Sequence, residues 1–220
     1  MTETEPTIRT SQAVFIVDDD ASICEGLSNL LESVGVRTEA YSSAEAILES
    51  WRESNAGCML LDARLPGMSG VEFQEKMQQL GIGMPIIFMT AHGDIPMVRK
   101  VMKAGAVEFL TKPFQKEELL HAIDHAFAFD RERRQDEEIL NSIKARMNSL
   151  SGREREVMER VTAGSLNKQI AAELNLSEIT VKLYRRQVMD KMRAGSLAEL
   201  VKLCERVKVT SRSSGDRAGA

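Results

Sequence analysis

Acidic, hydroxyl and basic side chains directly follow short apolar segments in the first half of the chain. They are Asp18, Asp19 and Asp20 after the first segment, Asp62 after the third, Thr90 after the fourth and Lys112 after the fifth. Carboxylates that converge repel one another unless a cation neutralises them, and their hard oxygen atoms select Mg2+ or a similar ion such as Mn2+. A carboxylate beside such an ion, with a lysine opposite, is equipped to accept a phosphoryl group.

A parallel β-sheet would bring these side chains together. Five apolar segments alternate with stretches of helical spacing, and they occupy residues 13–17, 36–41, 58–61, 85–89 and 107–110. Parallel strands need crossover connections, which are right-handed, so helices cover both faces of the sheet. We predict a doubly wound α/β domain with strand order 2-1-3-4-5. In that order the ligand site lies beyond the carboxyl ends of strands one and three.

Asp62 is the best candidate for the acceptor because it stands alone at the end of the central strand. Thr90 can donate a hydrogen bond to a phosphoryl oxygen, and Lys112 supplies a mobile positive charge. The alternative is a phosphohydrolase of the haloacid-dehalogenase type, because Asp18–Ser22 comes close to its Asp-x-Asp-x-Thr/Val motif. That class needs an acidic pair on the strand after its lysine, and the sequence has none there. We therefore expect a phosphoacceptor with slow autodephosphorylation at most, and not an enzyme.

Charge divides the chain into an acidic and a basic part. Residues 1–127 carry 19 Asp and Glu against 10 Lys and Arg, whereas residues 151–208 carry 8 against 12. We expect only the second part to bind a polyanion such as nucleic acid.

Cysteine usage and hydropathy indicate the compartment. Three cysteines without a CxxC pair predict reduced, buried thiols. No run approaches the roughly 18 apolar residues of a membrane span, and the polar N-terminus contains no secretory signal. The sequence therefore predicts a cytoplasmic protein without a membrane partner.

The residue pattern of the segment between the two parts predicts one continuous helix over residues 115–147. Its charge run, Phe129–Glu138, is typical of a solvated linker helix. A short dimerising stripe of Ile139, Ile143 and Met147 is the alternative. The resulting division is a disordered N-terminus at 1–12, a first domain at 13–127, a helical linker at 128–149, a small all-α domain at 150–208 and a disordered tail at 209–220.

The second domain predicts four helices, at residues 152–163, 167–174, 177–193 and 196–203. The turn between the second and third of these has helix-turn-helix spacing, which would place the third helix in a DNA major groove. The inward face of the third helix is predicted to contain Val181, Tyr184, Val188 and Met192. Its basic residues fall largely on the other side. From spacing alone, an ordinary four-helix unit with a solvated basic face is an equally good interpretation.

The first domain resembles a response-regulator receiver over residues 12–127. The matching segments are Val17–Asp20, Leu60–Gly70, Met89–Gly93 and Lys112–Phe114. The resemblance implies that Asp62 is the phosphoacceptor and that a sensor histidine kinase phosphorylates it. It also implies that Asp19 and Asp62 bind Mg2+ together with the backbone carbonyl of Arg64, and that Asp18 assists through water.

The same resemblance implies how the domain signals. Thr90 and Phe109 match a switch pair, in which the hydroxyl turns toward the phosphoryl group and the aromatic ring follows it. The Lys112–Pro113 peptide bond would be cis. The phosphorylated form would be a homodimer that uses the fourth and fifth helices. The interface residues implied are Val98, Val101, Met102 and Lys103.

The second domain resembles the LuxR-type DNA-binding domain. The matching segments are Leu150–Glu156, Gly164–Ala172 and Thr180–Met192. Together with the receiver, these segments are similar to the NarL/FixJ subclass and most of all to FixJ. Such a protein controls transcription at double-stranded promoter DNA, with RNA polymerase as a further candidate partner. The residues implied to face the groove are Lys182, Leu183 and Arg186, and those implied to contact phosphates are Asn167, Lys168, Thr180 and Arg185.

A phosphorylation-dependent protein-interaction module remains the alternative function. Salt discriminates between the two, because DNA binding weakens steeply as salt concentration rises. Of the three histidines, His92 lies near the rim of the carboxylate site, and our hypothesis is that it tunes phosphoryl lifetime. His121 and His125 lack the acidic partner of a zinc motif and are expected at the surface.

Overall fold

The computed structural model describes residues 12–52, 54–91 and 95–215. Contacts divide the chain into two compact units, with the boundary between Arg133 and Arg134. His92 and the predicted disorder at residues 1–11 and 216–220 lie outside the described residues. Within the described ranges, no helix is long and apolar enough to cross a membrane.

The first unit contains a five-stranded parallel sheet with the order β2-β1-β3-β4-β5. The strands are β1 (Ala13–Val17), β2 (Arg37–Tyr41), β3 (Gly57–Asp62), β4 (Ile86–Thr90) and β5 (Glu108–Thr111). β1, β3 and β4 are buried on both faces because their sequences are nearly continuous apolar runs. The predicted doubly wound order is therefore confirmed.

Helices cover both faces of the sheet. They are α1 (Ala21–Glu32), α2 (Ala44–Ser50), α3 (Gly70–Gln79), α4 (Ile95–Lys103) and α5 (Lys116–Asn148). One apolar core contains Leu31 of α1 and Ile123 of α5, while the other contains Ile47 of α2 and Phe73 of α3. The strand order reverses direction once, after β2, so right-handed crossovers place α1 on one face and α2, α3 and α4 on the other.

Helix α5 contributes residues to both units. Asp130 is fully buried, and its carboxylate accepts hydrogen bonds from the Gly57 backbone N–H at 2.8 Å and from the Arg133 guanidinium at 2.7 Å. Farther along the helix, Ile143 is buried in the core of the second unit. The segment predicted as a linker, 128–149, is thus divided between the two units. Ile143 cannot belong to the alternative dimerising stripe, because its side chain is buried in the core of its own chain.

The second unit is entirely helical, as predicted. It contains α6 (Gly152–Thr162), α7 (Asn167–Leu174), α8 (Glu178–Met192) and α9 (Leu197–Gly215), together with the end of α5. α7 ends at Asn175 in the left-handed conformation, which asparagine tolerates better than most residues. α8 begins after Ser177, whose hydroxyl accepts a hydrogen bond from the Thr180 backbone N–H at 3.1 Å. The helix-turn-helix spacing follows from these two caps.

Two predicted boundaries of the folded region are wrong. Gln12 was assigned to the disordered N-terminus, but it is buried, donates a hydrogen bond to the Phe127 carbonyl at 3.0 Å and accepts one from Arg131 at 2.9 Å. The tail was predicted to be disordered from residue 209, but α9 continues to Gly215. Lengthening an existing helix orders only one residue for each new hydrogen bond, which favours continuation of a helix once it has formed.

A buried carboxylate joins the start of α6 to α8. Glu154 is 4% exposed and accepts hydrogen bonds from the Lys191 ammonium at 2.6 Å and from the Ser151 backbone N–H at 2.6 Å. The hydrogen bond from Lys191 is the main cause that lowers the pKa of Glu154, and the contacts with Ser151 add to it. The fold therefore favours the ionised form. This stabilisation is complete above the pKa of the unfolded chain and is lost as the pH falls through the folded value.

We predict that Glu154→Gln lowers the free energy of unfolding by about 2 kcal/mol at pH 7, because it removes a charge-assisted hydrogen bond from a buried position. The difference from wild type should shrink as the pH falls below the usual glutamate pKa of 4.5. Urea unfolding followed by circular dichroism at several pH values measures both effects. Glu156→Gln, which removes an exposed ion pair with Arg153, is the matched control and should change stability by less than about 0.5 kcal/mol. A loss that stayed constant with pH would contradict the role of the Glu154 charge.

Candidate functional site

The carboxyl ends of the strands lie together at one edge of the sheet. Asp62 pairs with Met89, and Thr90 pairs with Thr111, so β3, β4 and β5 end at nearly the same level. β1 ends one residue before Asp18. The structure thus brings the predicted residues to one edge, as the strand order requires. They are Asp18, Asp19, Asp62, Thr90 and Lys112.

Lys112 bridges the two inner carboxylates of this edge. Its Nζ donates hydrogen bonds to Oδ2 of Asp18 at 2.6 Å and to Oδ2 of Asp62 at 2.7 Å. Each carboxylate also accepts a backbone hydrogen bond on its other oxygen, from the Asp20 N–H at 3.0 Å and from the Arg64 N–H at 2.8 Å respectively. Both carboxylates are therefore fixed in orientation. The Lys112–Pro113 peptide bond is cis, as predicted.

Burial makes it costly to keep the carboxylates of this cluster ionised. Asp18 is 1% exposed, and its burial raises the pKa of its carboxyl more than the hydrogen bonds from Lys112 and the Asp20 N–H lower it. Partial burial alone would lower the pKa of Lys112, but its hydrogen bonds to Asp18 and Asp62 raise it above its usual value. Lys112 therefore remains a cation, and the two carboxylates depend on it for compensation.

The loop after Asp62 is held in place by the start of α3. Ser69 and Glu72 form a capping box, in which the Ser69 hydroxyl accepts from the Glu72 N–H and the Glu72 carboxylate accepts from the Ser69 N–H. A Cβ at Gly70 would lie 2.8 Å from the Asp62 carbonyl oxygen and 2.8 Å from the Phe88 ring. Only glycine lets α3 begin this close to the end of β3. Sequence reasoning did not single out this glycine, although it lies in the matched segment.

The donor set of the site fits a divalent cation. Asp18, Asp19 and Asp62 carry three formal negative charges, against one positive charge on Lys112. Asp19 is exposed, so it offers hard oxygen ligands at the mouth of the site. In the described residues no three His, Cys, Asp or Glu side chains are yet arranged around a single point. Ligands beyond the carboxylates, such as the Arg64 carbonyl and water, would have to complete the coordination.

Asp20 belongs to the run of three aspartates but has a structural role. Its carboxylate accepts hydrogen bonds from the Ser22 backbone N–H at 2.8 Å and from the Ser22 hydroxyl at 2.7 Å, which caps the start of α1. These hydrogen bonds lower the pKa of Asp20. An acidic residue directly before a helical pattern is an N-cap signal, so this capping role of Asp20 could have been predicted from the sequence.

The proposed switch residues lie on one face of the sheet. Thr90 is buried, and Phe109 is half-buried against the core that contains Phe88, its neighbour across β4 and β5. Adjacent residues of parallel strands point to the same side, and so do residues two apart in one strand. Thr90 and Phe109 therefore share a face. A cavity of about 680 Å3 also adjoins Phe109 and Lys112.

The predicted dimer surface on α4 needs one correction. Val98 is half-buried, and Met102 and Lys103 are exposed. Val101 is only 2% exposed and belongs to the core beneath α4, so it is unavailable to a partner. Val101 thus marks the inward side of α4, and Met102, the next residue, is turned about 100° away from it around the helix axis.

A second candidate surface lies on α8. Its inward face contains Val181, Val188 and Met192, which are fully buried, and Tyr184, which is partly buried, as predicted. Its outward face exposes the three residues that were assigned to the groove. These are Lys182, Leu183 and Arg186. Exposed cations on a helix that follows a tight turn suit major-groove binding.

The residues assigned to phosphate contacts lie around the starts of α7 and α8. Arg185 donates a hydrogen bond to Oδ1 of Asn167 at 3.1 Å, which ties α8 to the first residue of α7. Lys168 is exposed in the first turn of α7, and the Thr180 hydroxyl shares a hydrogen bond with Ser177 at 2.8 Å. The N-termini of both helices thus present backbone N–H groups near polar side chains, which is a favourable arrangement for phosphate.

Comparisons with known proteins find a family match for each of the two units. Residues 14–124 match the response regulator receiver domain, and residues 148–204 match the LuxR family of bacterial regulatory proteins. Nodulation protein W of Bradyrhizobium diazoefficiens is 47% identical, over 92% of this chain and 89% of that protein. The transcriptional regulatory protein FixJ of the same organism is 40% identical, over 88% of this chain and 94% of that protein.

A solved structure extends this likeness to the fold. The response regulator StyR is 47% identical, with a TM-score of 0.77 over 89% of this chain and 99% of that one. Receivers of this family bind Mg2+ at the phosphorylation site and pair with histidine kinases. The chain therefore belongs to the response regulators that join a receiver to a LuxR-type DNA-binding domain, the NarL/FixJ type of two-component transcription regulator.

Proposed function

We propose that Asp62 is the phosphoacceptor of this chain. A carboxylate oxygen of Asp62 attacks the phosphorus of a phosphohistidine on the sensor kinase, the P–N bond breaks, and an aspartyl phosphate forms. The imidazole leaves as a neutral base after it takes up a proton. The observation that carries this proposal is the fixed Asp62 carboxylate, which is part-exposed and paired with Lys112 at the strand edge.

The neighbouring side chains stabilise the charge that transfer creates. Lys112 already contacts Asp62 and can move its ammonium group to a phosphoryl oxygen, while Thr90 donates its hydroxyl to another. When bound, Mg2+ would neutralise the phosphoryl oxygens. Asp19, Asp62 and the Arg64 carbonyl would hold it, with Asp18 acting through water.

Phosphorylation would then shift the receiver between two states. As the Thr90 hydroxyl turns toward the phosphoryl group, it leaves space that the Phe109 ring, on the same face of the sheet, can enter. The new surface would support a homodimer through Val98, Met102 and Lys103. A shift from about 1:99 to 99:1 needs only roughly 5.5 kcal/mol of differential stabilisation.

In the second unit, α8 would enter the major groove of promoter DNA. Lys182 and Arg186 would reach base edges, and Asn167, Lys168, Thr180 and Arg185 would position the unit through phosphates. Dimerisation pairs two copies of α8 on a repeated or palindromic site, which couples phosphorylation to transcription.

We predict that Asp62→Asn abolishes labelling by acetyl phosphate and removes the gain in DNA affinity that the phosphodonor produces. In the wild type that gain should be about tenfold or more. Phosphate-affinity electrophoresis measures labelling, and mobility shift of promoter fragments measures affinity. The exposed Asp124→Asn on α5 is the matched control and should behave as wild type. Labelling that persisted in Asp62→Asn would place the acceptor elsewhere.

We predict that Asp19→Asn reduces the rate of phosphorylation by about tenfold or more at a Mg2+ concentration of roughly 1 mM, because it removes a metal ligand. Asp20→Asn should leave the rate nearly unchanged, because asparagine also caps a helix. A titration of the labelling rate against Mg2+ concentration distinguishes lost metal affinity from lost chemistry. Equal rates for the two variants would remove Asp19 from the metal site.

We predict that the double variant Lys182→Ala, Arg186→Ala weakens binding to a promoter site by about tenfold or more, since each base contact contributes about 1–3 kcal/mol of discrimination. Lys202→Ala with Lys208→Ala removes the same charge from α9 and should weaken binding far less. Fluorescence anisotropy over a series of salt concentrations measures both affinity and its salt dependence. Equal effects of the two double variants would show that charge alone, and not the α8 face, determines binding.

A further inference from the structure

The outward face of α8 carries two large apolar side chains that the fold does not use. Ile179 is 80% exposed and Leu183 is 54% exposed, whereas Val181, Val188 and Met192 of the same helix fill the core. Residues four apart lie on the same side of a helix, so Ile179 and Leu183 form one exposed pair. Exposure of these two apolar side chains to water is unfavourable in the free protein. The core does not need them, because other residues of α8 fill it.

Cations flank this apolar pair. With about 100° of rotation per residue, positions 179, 182, 183 and 186 fall within an arc of about 100°. Lys182 and Arg186 are both exposed there, and Arg186 has only a long contact of 3.9 Å with Asp190. A surface with an apolar centre and positive neighbours fits a partner that offers methyl groups among negative charges and hydrogen-bond acceptors.

The DNA major groove offers this combination. Its walls are phosphates, guanine presents two acceptors, and the only apolar group on a base edge is the C5 methyl of thymine. Ile179 is the second residue of α8, and the N-terminal residues of a recognition helix are those that contact base edges. The pair spans about 6 Å along the helix axis, and successive bases of one strand rise by about 3.4 Å, so the pair matches methyl groups about two base steps apart.

We propose that Ile179 and Leu183 form a thymine-methyl contact, which makes thymine at one or two positions of each half-site a determinant of specificity. This inference rests on the proposed function of α8 as the groove-binding helix. It adds Ile179, which the sequence motifs did not indicate. Lys182 and Arg186 supply affinity and guanine contacts, while the apolar pair distinguishes thymine from the other bases.

The test removes the methyl groups without other change. The full-length protein, phosphorylated with acetyl phosphate, first selects its preferred duplex from a random library. Each thymine of that duplex is then replaced singly by deoxyuridine, which keeps every hydrogen-bonding group and lacks only the methyl. Fluorescence anisotropy at fixed salt should show that one or two replacements weaken binding by about threefold to tenfold, the effect of one apolar base contact.

Side-chain variants then assign the effect to the pair. In the double variant Ile179→Ala, Leu183→Ala, the sensitive thymine and deoxyuridine duplexes should bind equally, because both side chains of the contact are already shortened. Leu197→Ala, which shortens an exposed apolar side chain on α9, is the matched control and should keep the full difference. All three side chains are exposed, so the variants should keep wild-type helicity by circular dichroism.

The outcomes separate this inference from the function beneath it. If no thymine is sensitive, or if the double variant Ile179→Ala, Leu183→Ala keeps the wild-type difference, the methyl contact is overturned. In that case a weakened Lys182→Ala, Arg186→Ala variant would still support α8 in the groove. If that variant also bound the selected duplex as tightly as wild type, the assignment of α8 would itself fail.

Discussion

The mutual repulsion of carboxylates at one edge of the sheet is the constraint on which the receiver depends. Asp18 directly follows β1 and Asp62 is the last residue of β3, and the two strands are paired, so the fold itself forces the two charges together. Lys112 resolves part of this repulsion through hydrogen bonds of 2.6 and 2.7 Å. The ammonium comes from the end of β5, two strands away from β3, so the site exists only when β3, β4 and β5 end at one level. Compensation by one ammonium group is partial, so the edge keeps a negative field that favours a divalent cation.

The sequence predicted this edge of the sheet well because two independent patterns indicate it. Continuous apolar runs identified the buried strands, and the residues after them had the chemistry of a cation site, so strand order and site supported each other. The orientation of α4 was less accessible. Val98, Val101 and Met102 are all apolar, and a short helix with three such residues does not show which of them faces the sheet. Only packing against the core decided in favour of Val101.

The connection between the units shows a different limit. Asp130 stands in a run of alternating charges, which indicates a solvated helix, yet it is fully buried. Its partner is the backbone N–H of Gly57, 73 residues away in the chain. A backbone group carries no residue identity, so no pattern of side chains could reveal this contact. The helix starts of the second unit were predicted to within one residue, because local caps determine them: Ser151 and Ser177 act within three residues of themselves.

The charge of the second unit supports the proposal that DNA binding depends on a dimer. The unit has a modest net positive charge, and few cations lie on α7 and α8. They are Lys168, Lys182, Arg185, Arg186 and Lys191, of which Arg185 is already engaged with Asn167 and Lys191 with Glu154. Affinity from phosphate contacts grows with the number of charges neutralised, so one copy has little nonspecific affinity at physiological salt. Pairing two copies would double that number within one complex, so the proposed dimerisation would let receiver phosphorylation control occupancy without any change in α8 itself.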